Sequence, residues 1–196
     1  VLDNSGKLFN CQIIEIHKDK LAAKVLSVDE NFGPVRYNLS IAIAPTKNID
    51  RFEWFLEKAT EMGVTAIYPI LTSNSERKVI KHDRLERVLE AAAKQSLKGK
   101  VPTLHPLQSF KDFIKGNFAD EKYIAHCADG PKLNFLVEAN PAKPTVVCIG
   151  PEGDFSFTEI EQAAKNSFHA ISLGNSRLRT ETAGIVAVAA MYAKLS

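Results

Sequence analysis

Two stretches hold the residues with chemistry to offer. The first, Ile149-Gly150-Pro151-Glu152-Gly153-Asp154, closes the apolar run Val146–Ile149. The second, Leu173-Gly174-Asn175-Ser176-Arg177-Leu178-Arg179-Thr180-Glu181-Thr182-Ala183, follows a predicted strand and leads into an Ala/Val-rich segment. Both set glycine at the carboxyl end of a strand, the edge where open α/β sheets bind ligands. Glycine lets the main chain come close to a ligand and present N–H and C=O groups to it. An adenine ring is well read by such groups. Either glycine pair alone is equally an ordinary tight turn. The two together, with a charged segment after the second, point to a small-molecule site with charged chemistry beside it.

Arg177, Arg179, Thr180 and Glu181 crowd the start of a helix, where free N–H groups and partial positive charge already favour an anion. Two arginines there strengthen a potential that a purely structural sequence would offset with acids. Arg179 therefore reads as facing a phosphate or substrate, and Arg177 as either that or a solvated side chain. Thr180 can cap the helix, and Glu181 can handle a proton or satisfy the helix end. His126, at the end of a predicted strand Tyr123–Cys127, reaches the same sheet edge as a ligand group or as filler. The densest basic cluster is Arg77, Lys78, Lys81, His82 and Arg84, with Lys94, Lys98 and Lys100 as a second. Each lysine alone is a solvated side chain, but as groups they form the footprint that a phosphate backbone needs.

The bulk properties set outer bounds. The chain has 196 residues, enough for one sizeable domain with an appendage. Its 25 Lys+Arg against 23 Asp+Glu leave a net charge of +2, so any nucleic-acid binding must come from local clustering. Walker A, GxGxxG and HExxH sequences are absent, which argues against a conventional dinucleotide fold and a zinc hydrolase. Cys11, Cys127 and Cys148 have neither metal-ligand nor disulfide spacing; no metal is expected, and the cytoplasm is the expected compartment. No run of 18 apolar residues exists, so no membrane span is expected. The opening Val1-Leu2-Asp3-Asn4-Ser5-Gly6 has neither initiator Met nor leader and reads as the interior of a longer chain.

The elements that must position these residues change character near residue 38. Residues 1–37 read as two or three antiparallel strands, Leu8–Ile16 and Leu21–Val28 about a turn at 17–20, with 31–34 as linker. So few strands need further packing to be stable. Residues 38–196 read as alternating strand and helix. Strands are predicted at Leu39–Ala44, Ala66–Ile70, Tyr123–Cys127, Thr145–Ile149 and Ala170–Leu173. Capping-box spacings predict helix starts at Asp50/Glu53, Asp83/Glu86, Ser109/Asp112 and Ser156/Glu159. Gly63 ends the first helix, and Thr182–Leu195 forms the last. The order predicts an α/β fold with a parallel sheet and helices on both faces.

With these residues in view, the chain resembles the RsmE family of 16S ribosomal RNA uridine-N3 methyltransferases in the SPOUT superfamily. The resemblance rests on 149–153, on Leu173-Gly174 and on Leu178-Arg179-Thr180-Glu181-Thr182-Ala183. It is supported by Glu57–Val64, Ser75-Glu76-Arg77 and Glu90–Ser96, and it covers roughly 7–196. It implies a carboxyl-terminal trefoil knot, an exception to the rule against threaded chains, and a partial PUA-like RNA-binding β-barrel at the amino end. It implies S-adenosylmethionine bound by Ile149, Gly150, Gly153, Leu173, Gly174, Leu178 and Arg179. Catalytic roles fall to Arg179 and Glu181, and RNA contacts to Arg77, Lys78, Lys81, Arg84 and Arg177. The implied partners are 16S ribosomal RNA, or the small subunit, and a second copy in a homodimer. A SPOUT enzyme acting on transfer RNA, or a non-catalytic RNA-binding protein of the same fold, are the alternatives. Two positions depart from the family: Asp154 replaces a usual glycine, and Asn175-Ser176-Arg177 replaces a usual Pro-Arg-Ile. The Asp154 carboxylate is expected to cap the next turn rather than face a sulfonium.

Overall fold

Thr145–Ile149 forms a strand buried along its whole length, and Leu39–Ile43 does the same beside it. Continuous apolar character of this kind belongs to strands covered on both faces. The computed structural model describes residues 1–116 and 119–195. In chain order the elements are β1 (Leu8–Ile16), β2 (Leu21–Asp29), β3 (Leu39–Ile43), α1 (Ile49–Met62), β4 (Ala66–Leu71) and α2 (His82–Gln95). Then come β5 (Thr103–Leu104), β6 (Gln108–Ser109), α3 (Phe110–Phe113), β7 (Glu121–Ala125), β8 (Leu133–Asn134) and α4 (Phe135–Glu138). The chain closes with β9 (Thr145–Ile149), α5 (Phe157–Lys165), β10 (His169–Ser172) and α6 (Thr180–Ala193).

The main sheet runs β5-β4-β3-β9-β7-β10-β8, with β6 also on β4, and every pair is parallel. Its register matters for function. Ile43 pairs with Ile149, Ile149 with Ala125, and Ala125 with Ile171. The carboxyl ends of β3, β9, β7 and β10 therefore come out level along one edge. Side chains alternate between two cores, as strand geometry requires. Leu39, Ile41, Ile43, Val147 and Ile149 join Phe52, Phe55, Leu85, Phe135 and Met191 on one face. Ala42, Val146 and Cys148 join Phe110, Phe113, Phe155 and Ala163 on the other. Helices thus cover both faces, as the sequence predicts. The α6 helix packs on α1, β3, β9 and α4. Its Gly184 lets Phe55 come so close that an added Cβ would meet the ring at 2.6 Å.

Strands β1 and β2 form a separate antiparallel hairpin. Its root is fastened to the loop after α2: Gly6 N–H donates to Gly99 O (3.1 Å) and Gly99 N–H to Gly33 O (3.2 Å). The segment read as a linker is therefore docked, and Gly33 is needed because a Cβ would lie 2.3 Å from Leu97 O. Ile14, Ile16 and Leu26 on the hairpin stay exposed.

Several local expectations shift. The α1 cap is Asn48, whose side chain accepts from Asp50 N–H, so Asp50 lies inside the helix. Lys81 precedes α2 without a side-chain cap, and the Asp83/Glu86 box does not form there. Ser109 caps α3, and Ser156 with Glu159 closes a full capping box on α5. The strand expected at Tyr123–Cys127 sits two residues earlier, which leaves His126 and Cys127 in the loop. Among the described residues, no helix is long and apolar enough to cross a membrane.

Candidate functional site

The loops leaving β7, β9 and β10 enclose a cavity of about 540 Å³ at the carboxyl edge of the sheet. Its walls are Ala125, His126, Cys127 and Lys132 from the first loop, and Ile149–Glu152 with Asp154 from the second. The third contributes Ile171–Arg179, and Thr180 and Ala183 of α6 close the back. Much of this lining is main chain or small side chain. Gly174 has φ 130, and a Cβ there would meet nothing within 4 Å, so the backbone lies open. Ser172 fixes that turn, its hydroxyl donating to Gly174 O (2.9 Å) and accepting from Gly174 N–H (3.2 Å). Thr180 Oγ donates to Gly150 O at 3.0 Å and ties the start of α6 to the β9 loop. The expected capping role of Thr180 is thereby corrected: Arg179 is the N-cap residue, without a side-chain capping bond.

The fold brings most of the sequence-predicted residues together. Ile149, Gly150, Leu173, Gly174, Arg177, Leu178 and Arg179 all line the cavity, and both arginines are exposed at it. Two of the expected cofactor and catalytic residues do not. Gly153 stands outside the lining, with Asn74 Cβ only 3.0 Å from where its own Cβ would be. Glu181 is buried in the first turn of α6, and the group facing its carboxylate is Arg51 of α1, 3.9 Å away. It pairs α6 with α1 and stands outside the cavity lining.

Asp154 has φ 61, the left-handed conformation that favours glycine and tolerates Asp. Its carboxylate accepts from Phe155 N–H (2.8 Å) and from Cys127 N–H (2.7 Å). The first bond is the expected turn cap. The second, unforeseen, clamps the β9 loop to the β7 loop across the cavity floor. Both oxygens are thus engaged by main-chain N–H groups. His126 also lines the cavity, but both its ring nitrogens are buried without a hydrogen-bond partner among the described residues. Burial, with Lys132 nearby, pushes its pKa below the ordinary range and keeps the ring neutral. Cys148, inside β9, is fully buried, which raises its thiol pKa and leaves it inert.

Residues 34–192 match the RNA methyltransferase domain family. The chain belongs to this family. Ribosomal RNA small subunit methyltransferase E of Mesomycoplasma hyopneumoniae (strain 232) is 36% identical over 154 residues, 75% of this chain and 65% of that protein. The chain spans just under two thirds of the length of such curated relatives. A probable rRNA-methyltransferase from Porphyromonas gingivalis superposes with a TM-score of 0.90 at 35% identity, covering 100% of this chain and 84% of that one. The small subunit methyltransferase E of Neisseria gonorrhoeae, bound to S-adenosyl methionine, gives a TM-score of 0.85 at 28% identity and covers 98% and 81%.

Within this methyltransferase domain the expected RNA-contacting residues divide. Lys78 and Lys81 are exposed, and Arg177 is exposed at the cavity. Arg84 is held by Glu53 of α1, with Nε 2.6 Å from the carboxylate. Arg77 donates to Thr46 O (2.9 Å) and Lys47 O (2.6 Å), so its guanidinium braces the loop after β3. Two of its five N–H donors are used in this way, so Arg77 has a structural role beside the RNA contact expected of it. Sequence reasoning missed Asn74, Lys132 and Arg51. Asn74 and Arg51 meet partners far along the chain, in the β9 loop and in α6, while Lys132 donates to Ala128 O only four positions away and reaches the cavity through the course of its loop; no local spacing marks any of the three.

Proposed function

We propose that this chain transfers the methyl group of S-adenosylmethionine to N3 of a uridine in 16S ribosomal RNA. The observation that carries the reading is the glycine-walled cavity with two exposed arginines at it. Its volume lies within the usual range for small-molecule sites. The open backbone at Gly174, whose φ of 130 favours glycine, fits a ligand read by main-chain groups. Ile149, Gly150, Leu173, Gly174 and Leu178 would hold the donor, and a relative of the same fold is bound to S-adenosyl methionine.

When bound, S-adenosylmethionine supplies an electrophilic methyl group on a sulfonium. The rest falls to the protein. N3 of uracil must lose a proton as it attacks, so negative charge grows on the ring and its carbonyls. Arg179, exposed at the cavity, offsets that charge, and a preorganised cation does so without reorganisation during the reaction. The carboxylates in the wall are Glu152, which accepts from Lys47 N–H at 3.1 Å, and the doubly bonded Asp154. Asp154 has both oxygens engaged, while Glu152 is exposed with Oε1 alone accepting, so as the methyl–sulfur bond breaks and the thioether product leaves, the N3 proton passes to solvent water or to Glu152. Holding the two reactants together supplies much of the remaining acceleration. Arg177, Lys78 and Lys81 grip the RNA backbone, and the target uridine is flipped from its stack to reach the cavity.

The same reading extends to architecture. Residues 38–196 form the SPOUT domain, and residues 1–37 belong to a PUA-like RNA-binding barrel, for which the exposed apolar hairpin face is support. A trefoil knot is supported by the path of the chain, which leaves β10 beyond β7 and returns as α6 against β3 and β9. A homodimer would use α6 and α4, where Tyr192, Leu136 and Val137 are exposed. Free cysteines suit a reducing cytoplasm. Calorimetric titration with S-adenosylmethionine tests the enzyme reading: saturable one-site heat is expected, and no heat with folded protein overturns it.

A further inference from the structure

Loop 72–77, between β4 and α2, is fastened unusually well for an exposed connection. Thr72 N–H donates to Ser75 Oγ (3.0 Å), and Ser73 N–H donates to Glu159 Oε1 (2.8 Å). Arg77 holds the carbonyls of Thr46 and Lys47, while Lys47 N–H donates to Glu152 (3.1 Å). From this fixed loop, Asn74 Nδ2 donates to two successive carbonyls of the β9 loop, Gly153 O (2.9 Å) and Asp154 O (3.0 Å). The approach is close: a Cβ on Gly153 would lie 3.0 Å from Asn74 Cβ. The glycine at 153 thus serves the contact with Asn74.

We propose that Asn74 is a positioning residue for the cavity, holding 150–154 in the course that lets Gly150 and Pro151 meet a ligand. The inference rests on the methyl-donor reading of that cavity. Asn74 does not line the cavity and touches no reacting atom; it acts through the main chain of Gly153 and Asp154. Together with the Asp154–Cys127 clamp it fixes the β9 loop from both sides. A loop ordered in advance loses less entropy when a ligand binds, which raises affinity without a new contact.

The test compares wild-type protein with Asn74→Ala, Asn74→Asp and Gly153→Ala. Alanine removes both donors, aspartate keeps the shape but repels two carbonyls, and the new Cβ at 153 presses on Asn74 from the other side. Amide hydrogen exchange is read at 152–155, and S-adenosylhomocysteine affinity by equilibrium dialysis. All three variants are expected to exchange faster in this loop and to bind about tenfold more weakly. The KM for S-adenosylmethionine should rise while kcat stays near wild type. Unchanged exchange and unchanged affinity in folded Asn74→Asp overturn the proposal, as does a kcat loss with KM unchanged. If wild-type protein fails to bind S-adenosylhomocysteine, the donor reading fails, and the exchange data alone decide whether Asn74 holds the loop.

Discussion

Arg179 and Asp154 show how differently two charged residues at one cavity are used. Arg179 is exposed at the cavity; in the role proposed for it, Arg179→Ala should lower kcat by about 10²-fold or more, the usual effect of losing one transition-state charge partner. Its melting temperature should stay close to wild type; a collapse in melting temperature matching the activity loss would mark the side chain as structural. Asp154 is structural in the opposite sense. Its left-handed backbone costs a non-glycine residue roughly 1–2 kcal/mol, offset by two charge-assisted bonds to N–H groups. Thermal unfolding should therefore rank Asp154→Asn above Asp154→Gly, and glycine above Asp154→Ala, which keeps the strain and loses both bonds. Alanine matching or exceeding glycine would refute that account. The cap on Phe155 is legible in sequence because donor and acceptor are neighbours. The bond to Cys127 spans 27 positions and depends on the register of β7 beside β9, which no local pattern encodes.

Elements were readable where their signals are short-range and strong. Ser156 and Glu159 form the expected capping box because both partners lie within one helical turn. Asp50 loses to Asn48 because the upstream side chain reaches the free N–H groups first and starts α1 earlier. Strands β5, β6 and β8 have two residues each, too few for a period to show. The α6 helix is apolar on nearly every side, which marks it as buried but not which neighbour touches which face. That neighbour is Phe55 of α1, over Gly184. Alanine at an ordinary helical glycine adds about 1 kcal/mol of stability. Gly184→Ala should instead destabilise by about 1–3 kcal/mol, because the added methyl overpacks a filled interface. A raised melting temperature for this variant would show that α1 and α6 can separate without penalty.

At the scale of the whole molecule, the alternation of strand and helix was sufficient to place both glycine stretches on one edge. It could not say that the loop after β7 would form a third wall, or that the loop after β4 would brace the second. Burial in this frame also sets the response to acid. His105, stacked on Tyr68 with centroids 3.9 Å apart, and His126 in the cavity wall both have pKa values pushed below the ordinary 6.5 by burial. The unfolded chain then binds protons that the folded chain refuses, so stability falls as pH drops below about 6.5 toward the lowered folded values. Carboxylates with lowered pKa, such as Glu121 beside Lys143, add their own loss only below about 4.5. Melting temperature should decline between these pH values, and a double His105→Gln, His126→Gln variant should flatten that decline. An unchanged slope would remove both histidines from the account. The methyl-transfer claim itself is tested most directly by mass spectrometry of 16S ribosomal RNA lacking the modification, after incubation with the protein and S-adenosylmethionine. A single 3-methyluridine is the expected product; methylation at another atom, or none under conditions where the donor binds, would contradict it.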